Sequence, residues 1–375
     1  MKRVGVIGGG QLAWMMADAA KKLGIELVIQ TPSQTDPAVA IATQTIFGAI
    51  DDADLTADLA AICDVITFEN EFVNLESLSK LAAQGVCFRP SLEALKPLLD
   101  KYDQRCYLRD RQLPVPKFLA LEAGFSLQTA DPIVLKTRRH GYDGQGTFIL
   151  KTAEELEAIL KTLHDQPLLV EEFVPFEREL AVMAARSVTG EIVVYPIVET
   201  QQKNQVCRRV VAPADLPTAT VMEVETIAHT LLESLQVVGI FGIELFLTRE
   251  GKILVNEVAP RTHNSGHYTI DACTTSQFEQ QLRAVCGLPL GSPALTCDGA
   301  VMINLLGYEH SESDYLDKRQ QLAEIPGAVV HWYGKTESRL GRKLGHVTVS
   351  LENPSNLRQR AIAIAHTIES VWYRT

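Results

Sequence analysis

Short apolar segments alternate with helical ones along the first hundred residues. A helix is predicted to follow the first strand as far as about residue 23, and the strands lie at 4–7, 26–30, 65–68 and 86–88. Strands that alternate with helices are typical of βαβ units and a parallel sheet. The pattern therefore predicts a Rossmann-like α/β domain over residues 1–100.

After residue 100 strands become the more frequent element. Helices are predicted over 101–111, 218–235 and 275–286, and strands over 133–136, 168–174, 178–182, 192–198, 239–247 and 253–258. A linker at 287–293 precedes strands over 300–305, 329–333 and 346–350 and a last helix over 357–372. We predict an α+β domain over 101–288 and a small β-rich domain over 289–375.

One polar stretch, residues 256–267, begins at the end of a predicted strand. It consists of Asn-Glu-Val-Ala-Pro-Arg-Thr-His-Asn-Ser-Gly-His. Polar residues at this density form either a solvated loop or a functional site, because buried polar groups each need a partner. A hairpin turn joins this strand to the preceding one, and pairing Thr248 with Ile253 sets Glu244 opposite Glu257.

Facing carboxylates repel each other, since directly opposed Cβ atoms lie roughly 4.5–5.5 Å apart. Such a pair calls for a shared proton or a cation. Carboxylates together with substrate phosphates are the ligands that Mg²⁺ prefers. Glu244 and Glu257 are therefore predicted to bind Mg²⁺, with Mn²⁺ as an alternative ion.

A glycine turn follows the first strand, at residues 8–10. Gly8 and Gly10 have the spacing of a dinucleotide-binding turn, although Ala13 stands at the third glycine position. A phosphate cradle and a plain tight turn are both compatible with it. Glu69 and Glu71 follow a later strand, at the sheet edge where α/β domains bind ligands or simply expose acids.

A second glycine-rich segment, residues 141–147, consists of Gly-Tyr-Asp-Gly-Gln-Gly-Thr. It follows a strand that ends in Lys136, whose stem can lie in the core and its ammonium group in a crevice. Three glycines and neighbouring bases favour a phosphate-binding loop over a plain hairpin turn. The motif is not a Walker A loop.

Two more polar segments have alternative interpretations. The Glu-Glu-Phe-Val edge at 171–174, with Glu179, is either a nucleoside-binding edge or an ordinary strand with exposed acids. The basic turn at 339–346, preceded by Lys335, is either a clamp for phosphate or carboxylate or a solubilising hairpin tip.

Composition narrows the class of protein. The 375 residues are enough for two or three domains, and a net charge of −11 gives nucleic-acid binding no electrostatic support. Local basic clusters still allow an anionic small substrate. Seven scattered cysteines are typical of reduced thiols. Without a signal peptide or a long apolar run, we expect a soluble cytoplasmic protein that binds no membrane.

These motifs together resemble the ATP-grasp ligases. Within them, the segments 8–12, 141–146, 256–267 and 341–346 are similar to the N5-carboxyaminoimidazole ribonucleotide synthetases, most specifically at His-Asn-Ser-Gly-His. The resemblance covers residue 1 to about 350 and implies pre-ATP-grasp, ATP-grasp and small β-rich C-terminal domains. It also implies a homodimer.

The resemblance implies ATP-dependent carboxylation of 5-aminoimidazole ribonucleotide by bicarbonate in purine biosynthesis. The products would be the N5-carboxylated nucleotide, ADP and phosphate. Bicarbonate is a poor electrophile, so the γ-phosphoryl group would activate it as carboxyphosphate. That transfer depends on metal and cation stabilisation more than on covalent catalysis.

Individual roles follow from the same resemblance. Glu244 and Glu257 would hold Mg²⁺. The residues implied in ATP binding are Lys101, Lys136, Gly141, Tyr142, Asp143, Gly144, Gln145, Gly146, Thr147, Glu171, Glu172, Phe173, Val174, Glu179, Gln202, Asn256 and Glu257. Those implied in catalysis are Tyr142, Asp143, Arg261, His263, Lys335 and Arg342, and those implied in binding the aminoimidazole nucleotide are Gln11, Leu12, Glu69, Tyr142, Asp143, Lys335, Arg342 and Lys343.

Four positions depart from the family pattern. Gln145 replaces a base, Gln202 a histidine and Ala259 a ligating asparagine, and the order of residues 68–72 is altered. Three alternatives stay open: a formate-using glycinamide ribonucleotide transformylase, an NAD(P)-linked oxidoreductase and a non-catalytic nucleotide-binding protein. Dependence on bicarbonate or formate, nicotinamide binding and phosphate release distinguish them.

Overall fold

Four parallel strands form the sheet of the N-terminal domain in this computed structural model, which describes residues 1–122, 131–139, 141, 144–163 and 166–373. They are β1 (Lys2–Ile7), β2 (Ile25–Thr31), β3 (Gln44–Phe47) and β4 (Val65–Phe68), in the order β3-β2-β1-β4. The helices are α1 (Gln11–Trp14), α2 (Ala17–Leu23), α3 (Ala53–Ile62), α4 (Leu75–Ala83) and α5 (Leu92–Leu95), with 3-10 turns at Pro37–Ala40 and Lys96–Leu98.

Two N-terminal predictions need correction. The helix expected as far as residue 23 breaks into α1 and α2, because Met16 donates its N–H to Ala13 in a tight turn rather than continuing the helix. The strand expected over 86–88 forms only an isolated bridge between Phe88 and Ile66. The Rossmann-like α/β sheet itself is confirmed.

A second sheet of four antiparallel strands follows α6 (Lys101–Asp110). Its strands are β5 (Phe118–Ala120), β6 (Ile133–Thr137), β7 (Thr147–Leu150) and β8 (Leu168–Glu172), in the order β5-β8-β6-β7, and α7 (Ala153–Leu163) packs on it. Asp100 caps α6 by accepting from two backbone N–H groups and also pairs with Arg138, Nε to Oδ1 2.8 Å. This contact fixes the helix beside the second sheet.

The largest sheet continues from the central part of the chain into the C-terminal part. Its strands are β9 (Phe176–Arg186), β10 (Ile192–Val194), β11 (Val198–Lys203), β12 (Val206–Ala212), β13 (Gly239–Thr248), β14 (Ile253–Ala259), β15 (Gly299–Leu306), β16 (Ala328–Trp332) and β17 (Lys343–Leu351). Their order is β14-β13-β9-β11-β12-β15-β17-β16, with β10 on β9. The helices are α8 (Thr218–Leu235), α9 (Thr269–Ala272), α10 (Gln277–Cys286), α11 (Leu316–Ala323) and α12 (Leu357–Trp372), with a 3-10 turn at Asn264–Gly266.

Two consequences follow for the predicted architecture. The segment 192–198 is two strands rather than one, because Pro196 has no N–H to donate to the ladder. The β-rich C-terminal part has no sheet of its own among the described residues, since β15 pairs with β12. The boundaries at residues 100 and 288 stay predictions.

Helix α10 joins the N-terminal domain to the large sheet. Its apolar residues, including Phe278 and Leu282, pack into the same core as Val4 and Leu27 of the first sheet. Gln281 donates to Thr67 Oγ1 at 2.8 Å and accepts from Ile240 N at 2.7 Å, so one amide bridges β4 and β13. This amide and the shared core therefore hold the N-terminal domain against the large sheet.

Helix α8 provides a test of the central core. Leu231 is 0% exposed in the core under β9 and β13, whereas Met222 on the same helix is 62% exposed. We expect Leu231→Ala to lower the free energy of unfolding by about 2–5 kcal/mol, because it leaves a cavity. Met222→Ala should change it by less than about 0.5 kcal/mol. Urea unfolding of both variants measures this, and equal losses would contradict the packing.

Candidate active site

Nearly all of the predicted site residues meet in one cleft of about 1730 Å³ between the three sheets. Those that line it are Gln11, Leu12, Glu69, Lys101, Lys136, Gly141, Gly144, Gln145, Thr147, Glu171, Glu172, Phe173, Val174, Glu179, Gln202, Glu244, Asn256, Glu257, Arg261, His263, Lys335, Arg342 and Lys343. Tyr142 and Asp143 lie outside the described residues. Residues more than 300 positions apart in the chain therefore line the same cavity.

Gly146 is the described member of the predicted set that does not line the cleft. Its φ is +76°, in the left-handed region, and a side chain there would overlap Thr137. The close approach to Thr137 requires glycine here, and the contact of Gly146 with ATP stays a prediction. Gly144 approaches Gln205 of the β11–β12 turn equally closely, so this turn supports the loop.

Glu244 and Glu257 are directly opposed, as predicted, but the register that opposes them is different. Ile253 pairs with Leu247 rather than Thr248, so the predicted pairing is wrong. An irregularity next to Glu244 leaves Asn256 as an extra residue on β14 and brings the two glutamates opposite each other. The β-bulge also turns Asn256 toward the site, where it lies 3.2 Å from Lys136 Nζ and 3.4 Å from Glu244 Oε2.

The two glutamates have very different proton affinities. Burial and the charge of Glu257 raise the pKa of Glu244 to about 7. Burial opposes ionisation of Glu257 as well, but Lys101, whose Nζ lies 2.8 Å from Oε2, outweighs it and lowers the pKa of Glu257 to about 2. Burial and Glu244 raise the pKa of Glu179 to about 8. The raised pKa values of Glu244 and Glu179 show that the lysines do not fully offset the carboxylates of the site, whose hard oxygen donors fit a divalent cation.

Lys136 is buried behind this pair and shares Glu171 with Arg105. Lys136 Nζ lies 2.7 Å from Glu171 Oε2, and Arg105 pairs with the other carboxylate oxygen. The Glu171 carboxylate is therefore an internal counter-ion for both cations, and its contact with ATP stays a prediction. Sequence reasoning missed Arg105, although its spacing of four residues from Lys101 places both on one helix face.

The N-terminal glycine turn is already occupied by a carboxyl group. Glu69 Oε1 accepts from Leu12 N at 3.3 Å, and a side chain at Gly10 would overlap the same carboxylate. Burial raises the pKa of Glu69, while Arg261 lowers it. Because the carboxylate fills the turn, a dinucleotide phosphate has no room there. The NAD(P)-linked alternative loses the feature on which it was based.

The polar stretch after β14 is a folded element, so the interpretation as a solvated loop is wrong. Asn264, Ser265 and His267 are buried. Gln277 of α10 accepts from His263 N at 2.9 Å and donates to His263 O at 2.8 Å. The side-chain amides of Asn264 and Asn304 exchange hydrogen bonds of 2.9 and 2.7 Å. Two catalytic candidates of this stretch, Arg261 and His263, are therefore held in place.

The three domains contact each other through charged side chains at this point. Arg261 Nε lies 3.0 Å from Glu71 Oε1 of the N-terminal domain, and His263 Nε2 lies 3.5 Å from Glu244 Oε1. Lys335 donates to Gln11 Oε1 at 2.6 Å and to the Lys343 carbonyl at 2.7 Å. The basic turn therefore faces the cleft and is not a solubilising tip.

The raised pKa of Glu244 has a consequence for stability without metal. The unfolded glutamate ionises near its ordinary pKa of 4.5 while the folded one keeps its proton to about pH 7, so this group lowers stability as pH rises through that window. We expect Glu244→Gln to unfold like the wild type near pH 4.5. At pH 8 it should be more stable by about 2 kcal/mol, because the variant has no charge opposite Glu257. The gain is smaller than the full pKa shift implies, since 27% of the side chain is exposed and solvent weakens the repulsion.

Urea unfolding in metal-free buffer at both pH values measures this difference. Glu225→Gln on the exposed face of α8 is the matched control and should show no pH-dependent gain. A Glu244→Gln variant that is less stable than the wild type at pH 8 would contradict the opposed pair.

Three family models match the chain, each over a different part. They are the ribonucleotide synthetase preATP-grasp domain at residues 1–97, the ATP-grasp domain at 106–278 and the phosphoribosylaminoimidazole carboxylase C-terminal domain at 300–360. Within the described residues, no helix is long and apolar enough to cross a bilayer. The pre-ATP-grasp, ATP-grasp and C-terminal parts expected from the motifs are thus confirmed.

Similar proteins cover almost the whole chain. The N5-carboxyaminoimidazole ribonucleotide synthase of Synechococcus elongatus is 55% identical and covers 99% of this chain and 96% of its own. The crystal structure of the synthetase from Thermotoga maritima has a TM-score of 0.86 at 39% identity, with 99% and 98% covered. The Aspergillus clavatus synthase in complex with ADP and 5-aminoimidazole ribonucleotide has a TM-score of 0.88 at 31% identity, with 98% and 99% covered. The chain therefore belongs to the N5-carboxyaminoimidazole ribonucleotide synthase family of ATP-grasp ligases.

Proposed function

We propose that this chain catalyses the ATP-dependent carboxylation of 5-aminoimidazole ribonucleotide with bicarbonate. One observation carries the proposal: the opposed glutamates, the lysines beside them and Arg261 of the polar stretch line the same cleft as the basic turn. The similar synthase with ADP and 5-aminoimidazole ribonucleotide supports this assignment of substrates. Formation of the N5-carboxylated nucleotide places the enzyme in purine biosynthesis.

ATP would lie along the second sheet and β9. Phe176 and Phe246 stack with ring centroids 4.8 Å apart in this part of the cleft and offer an apolar surface to a base. The side-chain oxygen of Gln202 is buried without a hydrogen-bond partner among the described residues, so it is available to accept from a nucleotide N–H or O–H. Gln202 therefore replaces the usual histidine with an acceptor.

Glu244 and Glu257 would hold Mg²⁺, or Mn²⁺, because their opposed carboxylates are hard oxygen donors and the raised pKa of Glu244 reflects a charge that its neighbours do not fully offset. The bound ion would neutralise the phosphate oxygens of ATP. Lys101 and Lys136 approach the same point from α6 and β6 and supply fixed positive charge. A charge that is already oriented needs no reorganisation during phosphoryl transfer.

The reaction would take two steps. First, a bicarbonate oxygen takes the γ-phosphoryl group from ATP, which releases ADP. The amino nitrogen of the ribonucleotide then attacks the carbon of carboxyphosphate, loses a proton and expels phosphate. Arg261, held by Glu71, would stabilise the carboxyphosphate oxygens, and His263 beside Glu244 would contact the same group.

The aminoimidazole nucleotide would bind across the cleft. Lys335, Arg342 and Lys343 are the cations for its phosphate, and Lys335 is positioned by Gln11. Glu69 lies between the glycine turn and Arg261 and would face the base. Tyr142 and Asp143 stay candidates for the same substrate from their sequence motif. We also propose that the protein is a cytoplasmic homodimer. Light scattering would measure the mass of the assembly.

The assay that tests this function measures ADP formation with ATP, bicarbonate and Mg²⁺, with and without 5-aminoimidazole ribonucleotide. We expect stimulation by the nucleotide and loss of activity on chelation of Mg²⁺. A reaction that requires formate and glycinamide ribonucleotide instead would favour the transformylase. No phosphate release with any of these substrates would favour a nucleotide-binding protein without catalysis.

Arg261→Ala tests the assignment of the polar stretch. We expect the carboxylation rate to fall by about 10²–10³, because a preoriented charge at the developing anion is lost. ATP affinity, measured by calorimetry, should stay close to that of the wild type. Arg249→Ala, in the exposed β13–β14 turn, is the control and should retain full turnover. Full carboxylation by Arg261→Ala would contradict the assignment.

A further inference from the structure

Three side chains of types that can ligate a metal meet outside the cleft, two on the large sheet and one on a neighbouring helix. His331 of β16 and His346 of β17 are directly opposed in the antiparallel ladder, so their side chains lie on one face. Asp271 comes from α9, the helix that follows the polar stretch. One nitrogen or oxygen atom from each residue lies within 4.8 Å of the other two. None of the three is among the residues that line the cleft.

Asp271 and His331 form the accessible side of this cluster. His331 Nε2 lies 2.9 Å from Asp271 Oδ2 and 3.1 Å from Oδ1. The two side chains are 14% and 20% exposed, so an ion can reach them from solvent. A carboxylate and an imidazole are both ordinary ligands of zinc.

His346 forms the buried side, and one of its nitrogens has no protein partner. Its Nδ1 lies 2.8 Å from the Tyr333 hydroxyl, whereas its Nε2 is buried without a hydrogen-bond partner among the described residues. With Nδ1–H donating to the hydroxyl oxygen, the Nε2 lone pair is left for an ion, which is the arrangement of a metal-binding histidine. Burial lowers the pKa of His346, which keeps the imidazole in the neutral form that binds metals.

We propose that Asp271, His331 and His346 bind one transition-metal ion, with Zn²⁺ as the best match to two imidazoles and a carboxylate. A solvent molecule would supply the fourth ligand. The rings of His331 and His346 are stacked with centroids 4.5 Å apart, and binding requires the three ligand atoms to move closer together than they are in this arrangement. The ion would join α9 to the C-terminal strands and so stabilise the polar stretch. This site is independent of the proposed reaction.

His267 is the neighbour that offers an alternative explanation. Its Nε2 is also buried without a partner among the described residues, and its ring lies 5.3 Å from that of His346. The Gln277 amide nitrogen lies 2.9 Å from His267 Nδ1, while the amide oxygen accepts from His263 N. Nδ1 is therefore the acceptor and Nε2 carries the proton, so His267 cannot be a ligand. It can donate to ion-bound solvent, or to a water molecule shared with His346 if no ion binds.

Cobalt binding to the full chain tests the proposal, since Co²⁺ in a tetrahedral zinc site absorbs visible light. Metal-stripped protein is titrated with Co²⁺ in excess Mg²⁺, which occupies the glutamate pair. We expect one Co²⁺ per chain without a thiolate charge-transfer band, and displacement by Zn²⁺. Asp271→Asn and His331→Gln, both partly exposed, should each weaken binding at least about tenfold. His229→Gln, an exposed histidine on α8, should bind as the wild type does.

A second measurement separates binding from misfolding. Zn²⁺ should raise the thermal midpoint of the wild type and of His229→Gln but not of Asp271→Asn, whose metal-free midpoint should match the wild type. Binding of equal strength in the wild type and in both ligand variants would overturn the site. So would a wild type that binds no Co²⁺, which would leave a shared water as the partner of the two buried nitrogens.

Discussion

The repulsion between Glu244 and Glu257 is the constraint on which the rest of the cleft depends. Two partly exposed carboxylates that face each other on neighbouring strands can both be ionised only if positive charge lies close to them. Lys101 pairs with one of them, and Lys136 approaches through Asn256. These lysines come from α6 and β6, so the charge balance ties the second sheet to the large sheet. The remaining deficit of positive charge is what a divalent cation would supply.

The N-terminal domain also contributes charged groups to the cleft. Its glycine turn, which in a dinucleotide-binding protein holds a phosphate, here holds the carboxylate of Glu69. Glu71 pairs with Arg261, so Glu69 and Glu71 both lie against the polar stretch. A Rossmann-like fold thus serves as a wall of an ATP-grasp cleft. Gly10, Gln11 and Leu12 of this turn line the cleft beside Glu69.

Much of the fold follows from the pattern of residues along the chain. Helices α8 and α12 have the predicted bounds, because an apolar stripe repeats over several turns in each. Pro196, which divides β10 from β11, was visible in the sequence. The bulge at Asn256 was not, since neither glycine nor proline marks it. The opposed glutamates were predicted from a register that is one residue wrong, and the bulge restored the pairing.

Contacts between distant residues could not be predicted in this way. Nothing in the local sequence links Arg105 to Glu171 or Asn264 to Asn304, because the fold alone brings these pairs together. The convergence of the motifs in one cleft was implied only by a family resemblance, and the structure describes it for all but Tyr142, Asp143 and Gly146. The sequence alone indicated which residue types form the site, but not the distant residues that hold them in place.

In the proposed reaction, this cleft uses ATP to activate bicarbonate. The most direct test is a single-turnover reaction with ¹⁸O-labelled bicarbonate, ATP and 5-aminoimidazole ribonucleotide, followed by mass spectrometry of the released phosphate. Carboxyphosphate carries one bicarbonate oxygen into its phosphate group, so we expect one ¹⁸O atom in each phosphate formed. Phosphate without the label, at full carboxylation, would contradict activation of bicarbonate through carboxyphosphate.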